Sequence, residues 1–318
     1  MNAAAGMLAL CLLQLLLVLA VAPLISGIIK KTKARFQHRR GAGLVQPYFD
    51  LAKLLRKEVV VPSASSWLFR GTPYVVLAST LVIALLVPMV WTPVPLHGMG
   101  DIITVVYLFA LGRFFLALAG LDAGSAFGGL GSSREMSIAS IIEPAMMLAI
   151  FTAAVTAGST DLSLIVARLS STPAAMLNPA HLLAFSGLFI ATIAETGRLP
   201  VDNPDTHLEL TMIHEAMVLE YSGRYLAYIE YASHVKLVVF LALLSNMFFP
   251  VGMAASWSVS TLALGAAAFL VKITGLAMIV AVVESTNAKL RLFRVPELLM
   301  VALILSFIAL ILYFIIGG

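Results

Sequence analysis

Proton-handling side chains are densest between Glu195 and Tyr231, ETGRLPVDNPDTHLELTMIHEAMVLEYSGRYLAYIEY. Glu195, Asp202, Asp205, Glu209, Glu215, Glu220 and Glu230 supply seven of the sixteen acidic residues there, opposed only by Arg198 and Arg224. Asn203-Pro204-Asp205 signals a turn and helix start, and Ser222-Gly223 ends the helix that follows. On that helix Glu209 and Glu220 stand eleven residues, or three turns, apart, on one face with Ile213 and Ala216. Carboxylates beside apolar side chains are expected to be half-buried, the setting that a proton-relaying group needs.

A second set of ionisable residues lies in otherwise apolar sequence: Arg113, Glu143, Glu195, Lys236, Lys272 and Glu284. Each is costly in hydrocarbon, so each marks an ion route or an internal pair unless it snorkels from a span end. Glu143 stands immediately before Pro144, which predicts a locally opened helix where water reaches the carboxylate. Glu230 and His234 are four apart, a spacing that allows proton transfer. Other chemistries find no support. His207 and His214 are seven residues apart, too far along a helix to share a metal, and His214-Glu215 does not continue into His-Glu-x-x-His. There is no Gly-x-Ser-x-Gly elbow, and the glycines of 124–131 lack the following Lys-Ser/Thr of a phosphate loop. One cysteine, Cys11, rules out an internal disulfide and a cysteine-ligated cluster held by this chain alone. We therefore assign no catalytic or metal-ligating residue.

The elements that position these groups follow from composition. The 318 residues are 61% hydrophobic and 11% charged, with a mean hydropathy of +1.01. A soluble domain carries about twice that charge, so the solvent is lipid and the fold is an all-α polytopic bundle. Eight spans are predicted: Met7–Ile29, Pro73–Trp91, Ile102–Leu121, Ser137–Ala157, His181–Glu195, His234–Phe249, Val259–Val283 and Glu297–Ile316. Residues 30–72, 122–136, 197–233 and 284–296 hold ten, one, two and three Lys/Arg, whereas the opposite loops hold only Arg168. By the positive-inside rule the four charged loops face the cytoplasm and both termini lie outside. The net charge of +4 is thus a topology signal, not a nucleic-acid footprint. Ala20-Val21-Ala22 imitates a signal cleavage site, but the basic residues follow the first span rather than precede it, so the helix is expected to be retained. No repeat is visible, and we read 1–318 as one integral membrane domain.

The first charged loop, RFQHRRGAGLVQPYFDLAKLLRKE, turns at Gly41 and Gly43 and opens a short helix at Tyr48–Lys57 behind Pro47. Tyr48, Leu51, Leu54 and Leu55 form an apolar stripe, while Asp50, Lys53 and Lys57 lie elsewhere, as in a helix lying on a membrane surface or a partner. Its basic residues also suit an anchor for anionic lipid.

These residues resemble a known family. Arg39-Arg40-Gly41-x-Gly43, Gln46-Pro47, Asp50-x-x-Lys53-Leu54 and Lys57-Glu58 are similar to the first loop of the membrane-anchor subunits of complex I. Glu195-Thr-Gly-Arg198-x-Pro200-x-Asp202, followed by Glu220-Tyr221-Ser222-Gly223, is similar to the acidic third loop of that family. Within the family, Val201 and Asn203 depart from the Phe and Leu usual in complex I, and Asp205-Thr206-His207-Leu208-Glu209 replaces a Glu-Ala-Glu block. Ala42 stands where relatives often have Pro. Asp122-Ala-Gly-Ser125-x-Phe127 and Gly131-Ser-Ser-Arg134-Glu135 look like the branch of group 4 NiFe hydrogenases, with formate hydrogenlyase and hydrogenase-4. The resemblance implies a non-catalytic subunit of an energy-converting redox complex in a prokaryotic cell membrane. It would dock a peripheral arm of hydrogenase-like large and small subunits, holders of the NiFe centre and iron–sulfur clusters, and pass the redox signal to antiporter-like membrane subunits. Arg39, Arg40, Gln46, Asp50, Lys53, Lys57, Glu58 and Arg198 would meet that arm. The carboxylates, with His234, Lys236, Arg113 and Lys272, would couple electron transfer to movement of H+ or Na+. The alternatives are a quinone-chamber subunit of complex I, a stand-alone secondary transporter and a purely structural scaffold.

Overall fold

The computed structural model describes residues 3–92, 100–172, 176–203, 212–254 and 258–316. Among them are eleven α-helices: α1 Ala3–Phe36, α2 Gln46–Arg56, α3 Trp67–Leu86, α4 Ile102–Asp122, α5 Ala126–Ala157, α6 Leu162–Ser171, α7 Pro179–Glu195, α8 His214–Val218, α9 Gly223–Phe248, α10 Val259–Thr286 and α11 Val295–Ile316. The described residues form no strand, only isolated bridges between Trp91 and Ala254 and between Asp101 and Asp161. Seven helices (α1, α3, α4, α5, α9, α10 and α11) are long and apolar enough to cross a membrane. The remaining predicted span is α7, apolar but only 17 residues long.

The helix starts follow from local side chains. Ser66, Asp101, Ser125, Asp161, Asn178 and Ser258 each accept a backbone N–H in the first turn of the helix they precede. Asp101 and Asp161, the two acidic residues of the charge-poor end, are thus helix caps. Asp161 starts a helix, α6, between the fourth and fifth predicted spans.

The axis of the bundle is α9, in which every residue from Leu237 to Phe248 is buried. A helix apolar all round is suited to that place. Around it α3 packs on α4, α1 on α10, and α11 on α5 and α7. Small residues set the closest approaches, since lipid gives helices no hydrophobic drive to associate. A Cβ on Gly128 would come within 2.2 Å of the Gly120 carbonyl, so α4 and α5 touch backbone to backbone there.

Two helix ends lie inside the bundle. The predicted span to Trp91 stops at Leu86, for Pro88 has no N–H to give the Ala84 carbonyl. Gln14 Nε2 donates to that carbonyl instead, at 2.7 Å, and to Val87 O at 2.9 Å. Asn246 Nδ2 donates to Pro88 O and Met89 O at 3.0 and 2.8 Å. At the other end α7 stops at Glu195, and the Thr196–Asp202 turn folds back through Gly197 N to Ala194 O and Arg198 N to Ile193 O. Irregular backbone at membrane depth persists where it is wrapped in protein or lines a cavity, and this turn does line one.

Candidate functional site

The site is built around Arg113, nine residues before the end of α4 and so about 14 Å below it along the axis. Its guanidinium meets three carboxylates from two other helices. Nη1 donates to Glu143 at 2.6 Å, Nε lies 3.5 Å from Glu135, and Nη2 pairs with Glu195. Glu143 and Glu135 come from α5, and Glu195 is the last residue of the short α7. The shortness of α7 places its C-terminal carboxylate at the depth of Arg113 rather than at a surface. Lys236 of α9 closes the group at 2.9 Å from Glu195, its ammonium 5.9 and 6.0 Å from the stacked rings of Phe109 and Phe240. Those ring faces add to the attraction on a desolvated cation.

Two further pairings flank this group. Glu284, at the charged end of α10, takes Arg198 at 2.6 Å and Lys33 of α1 at 3.5 Å. Asp202 takes Lys289 at 3.1 Å and accepts the backbone N–H groups of Ile213 and His214. Together, five cations meet five carboxylates, so the array is formally neutral. That balance matters because an unmatched buried charge costs several kcal/mol. A cavity of about 140 Å³ lies between the pairs, lined by Arg113, Glu195, Arg198, His234, Lys236 and Glu284 among others. A second void of about 10 Å³, close to the size of one water, is bordered by Glu135, Glu195 and Asp202.

The structure therefore gathers Arg113, Glu143, Glu195, Arg198, Asp202, Lys236 and Glu284, which the sequence presents far apart. Glu215 and Glu230 also line the larger cavity. Arg198, expected on the docking surface, points inward to Glu284 because α7, which precedes its turn, ends inside the bundle. His234 bonds Ser26 of α1 at 2.8 Å and shares the cavity with Glu230. Glu143 sits on a helix that continues through Pro144, and its side chain is 37% exposed. Glu220 is exposed on a turn, not half-buried on a long helix: the described helix there is only α8, whose Ala216 and Met217 are buried against Gly120 and Gly131. Asp205, His207 and Glu209 lie outside the described residues. Lys272 stands apart from the array, at Asn246.

Sequence reasoning missed Glu135, Lys33 and Lys289. Glu135 falls before the predicted start of its span, but α5 begins eleven residues earlier than Ser137, at Ala126. Its spacing of eight from Glu143 was the available signal, since i and i+8 share a helix side.

The first charged loop is held against the third. Ser222 Oγ accepts from Val60 N at 2.8 Å and donates to Val60 O at 3.2 Å. Gly223, at φ +55°, admits the Lys57 and Glu58 carbonyls where any Cβ would clash. Tyr221 stacks on Phe69 at 4.0 Å and donates to its carbonyl, and burial pushes the phenol's pKa up. Helix α2 begins at Gln46, packs between α1 and α9 with Tyr48 donating to Ala20 O, and leaves Phe49, Lys53 and Lys57 exposed. Gln46 and Asp50 bond each other at 2.9 Å, and Arg39, Arg40 and Glu58 are exposed.

Comparison with known proteins agrees with this architecture. The NADH dehydrogenase family model matches residues 8–314. The chain is 38% identical to formate hydrogenlyase subunit 4 of Escherichia coli K12 over 90% of its own length and 92% of that protein. It is 36% identical to hydrogenase-4 component C of the same organism, covering 87% of each. To a subunit of the NADH-quinone oxidoreductase of Syntrophotalea carbinolica it is 31% identical, over 82% of this chain and 81% of the other. A chain in the structure of the membrane-bound sulfane sulfur reductase, an archaeal respiratory membrane complex, has the same fold. The TM-score is 0.84 over 96% of this chain and 99% of that one, at 21% identity. With its membrane-spanning helices and the two loop motifs in contact, the chain belongs to the NADH dehydrogenase family.

Proposed function

We propose that this chain is a non-catalytic membrane subunit of the hydrogenase branch, joining a peripheral redox arm to a membrane arm and coupling electron transfer to movement of H+ or Na+. The observation that carries the reading is the neutral array of ten paired charges, seven of which line the 140 Å³ cavity. Carboxylates that share one guanidinium exchange partners when a neighbouring charge changes, which is what relaying a redox signal requires. Asp202 and Arg198, on the turn after α7, lie where a conformational or charge change in the third loop would reach Glu195 and Glu284. The exposed Arg39, Arg40, Lys53 and Lys57 suit docking of the arm, on the cytoplasmic side of a prokaryotic cell membrane. The NiFe centre and iron–sulfur clusters belong to the partner subunits in this reading, since one cysteine cannot supply a cluster.

The same cavity supports a second reading, a quinone chamber, because Ile29, Leu108, Phe109 and Leu116 line it beside the charges. Purification of the tagged chain in gentle detergent, with mass spectrometry of what accompanies it, separates the two. A large subunit with paired Cys-x-x-Cys nickel ligands is expected. A homologue lacking those cysteines, in a complex that reduces quinone, would transfer the assignment to the second reading. A stable partnerless oligomer that transports ions would contradict both.

A further inference from the structure

Lys272 lies at the middle of the 28-residue α10, thirteen residues from Val259 and fourteen from Thr286. That is about 20 Å from either end, near the midplane of a hydrocarbon core about 30 Å thick. Its ammonium bonds two neutral acceptors, Asn246 Oδ1 at 2.6 Å and Phe249 O at 3.4 Å, which leaves one N–H donor unused. No described residue forms an ion pair with it. The two acidic residues of the charge-poor end are already committed, since Asp101 and Asp161 cap α4 and α6. Arg113 and Lys236, the other cations deep within the described spans, are both matched.

The helix that carries Lys272 presents a partnerless face. Only 28% of α10's most apolar stretch is buried. Leu264, Val271, Met278 and Val282 are exposed at spacings of seven, seven and four, which form one stripe. Gly275 falls within the stripe with open space beside it, room for a second helix to approach closely. Lys272 borders the stripe, next in sequence to Val271.

We propose that the exposed face of α10 docks a transmembrane helix of another membrane subunit, one that brings an Asp or Glu carboxylate to Lys272 at mid-depth. The proposal rests on the reading of this chain as one subunit of a membrane complex and specifies where a neighbour binds. The charge of Lys272 selects the occupant, because lipid alone would leave an unmatched cation in hydrocarbon.

The test uses the complex in its native membrane, with photo-crosslinking benzoylphenylalanine at Val271 and, separately, at the exposed Phe49 of α2. The Val271 probe is expected to capture a membrane subunit, the linked peptide mapping to an apolar span that contains a carboxylate. Lys272→Glu should then lower recovery of that subunit about tenfold or more, and replacing its carboxylate by Lys should restore it. If Lys272→Glu fails to insert, Lys272→Met replaces it and should weaken recovery in the same direction. Phospholipid alone at Val271, or a span without a carboxylate, while Phe49 captures a protein, would overturn the proposal and leave the family reading intact. No protein at either position would overturn both.

Discussion

Lys236 and Lys272 stand within spans of the same bundle and are treated oppositely. Lys236, toward the charged end, has a carboxylate at 2.9 Å and two aromatic rings beneath it. Lys272, midway along α10, has one amide oxygen and one backbone carbonyl. The charged half is an ion-pair array around a cavity, its ten charges answered inside the chain. The charge-poor half is a hydrogen-bonded seal, in which Gln14 and Asn246 satisfy carbonyls stranded by Pro88. The difference separates a region equipped to respond to charge from a region that closes the bundle and leaves one cation for a neighbour.

Substitutions ranked by expected effect test that division. Arg113→Met leaves Glu135, Glu143 and Glu195 sharing Lys236 alone, and should cost on the order of 3–5 kcal/mol in a denaturation assay of the purified complex. Arg113→Lys should recover only part of it, because an ammonium lacks the fork that serves three carboxylates. Lys236→Met should cost less, about 2 kcal/mol, since Glu195 keeps Arg113. Asn246→Leu should cost a comparable 2 kcal/mol or so by stranding the Pro88 and Met89 carbonyls, with redox-linked ion movement unchanged. Asp101→Ala should cost about 1 kcal/mol, the worth of a helix cap, seen as a lower thermal midpoint without loss of coupling. Lys272→Met should be close to neutral in the isolated chain, where it removes an unanswered charge. If Lys236→Met were equally harmless, the contrast between the two halves would collapse.

Much of the bundle was legible because a span must be long and apolar, and the same windows that predicted eight crossings return as α1, α3, α4, α5, α7, α9, α10 and α11. Hydropathy sees only the part of a helix that suits lipid, so α1 continues to Phe36 and α5 starts at Ala126 beyond the predicted ends. Glu135 was hidden in that extension. Pro88 stood in the sequence, but the apolar residues after it masked the break until Gln14 and Asn246 were seen covering it. Individual ionisable residues in the spans were readable from their cost. Their pairings were not, since Arg113 and Glu195 are 82 positions apart and meet only because α7 is short. The two loop motifs were readable as separate patterns, and their meeting at Ser222, Gly223 and Val60 required the fold.

Coupling of redox chemistry to ion movement by the Arg113 array stands or falls on Glu195→Gln. This substitution keeps the size and one acceptor oxygen of the side chain while removing the charge held by Arg113 and Lys236. The assembled variant complex would be placed in liposomes, and ions moved per redox turnover measured against wild type. Retained redox turnover with a much reduced ion ratio is expected. A fully assembled variant that moves ions at the wild-type ratio would contradict a coupling role for the array.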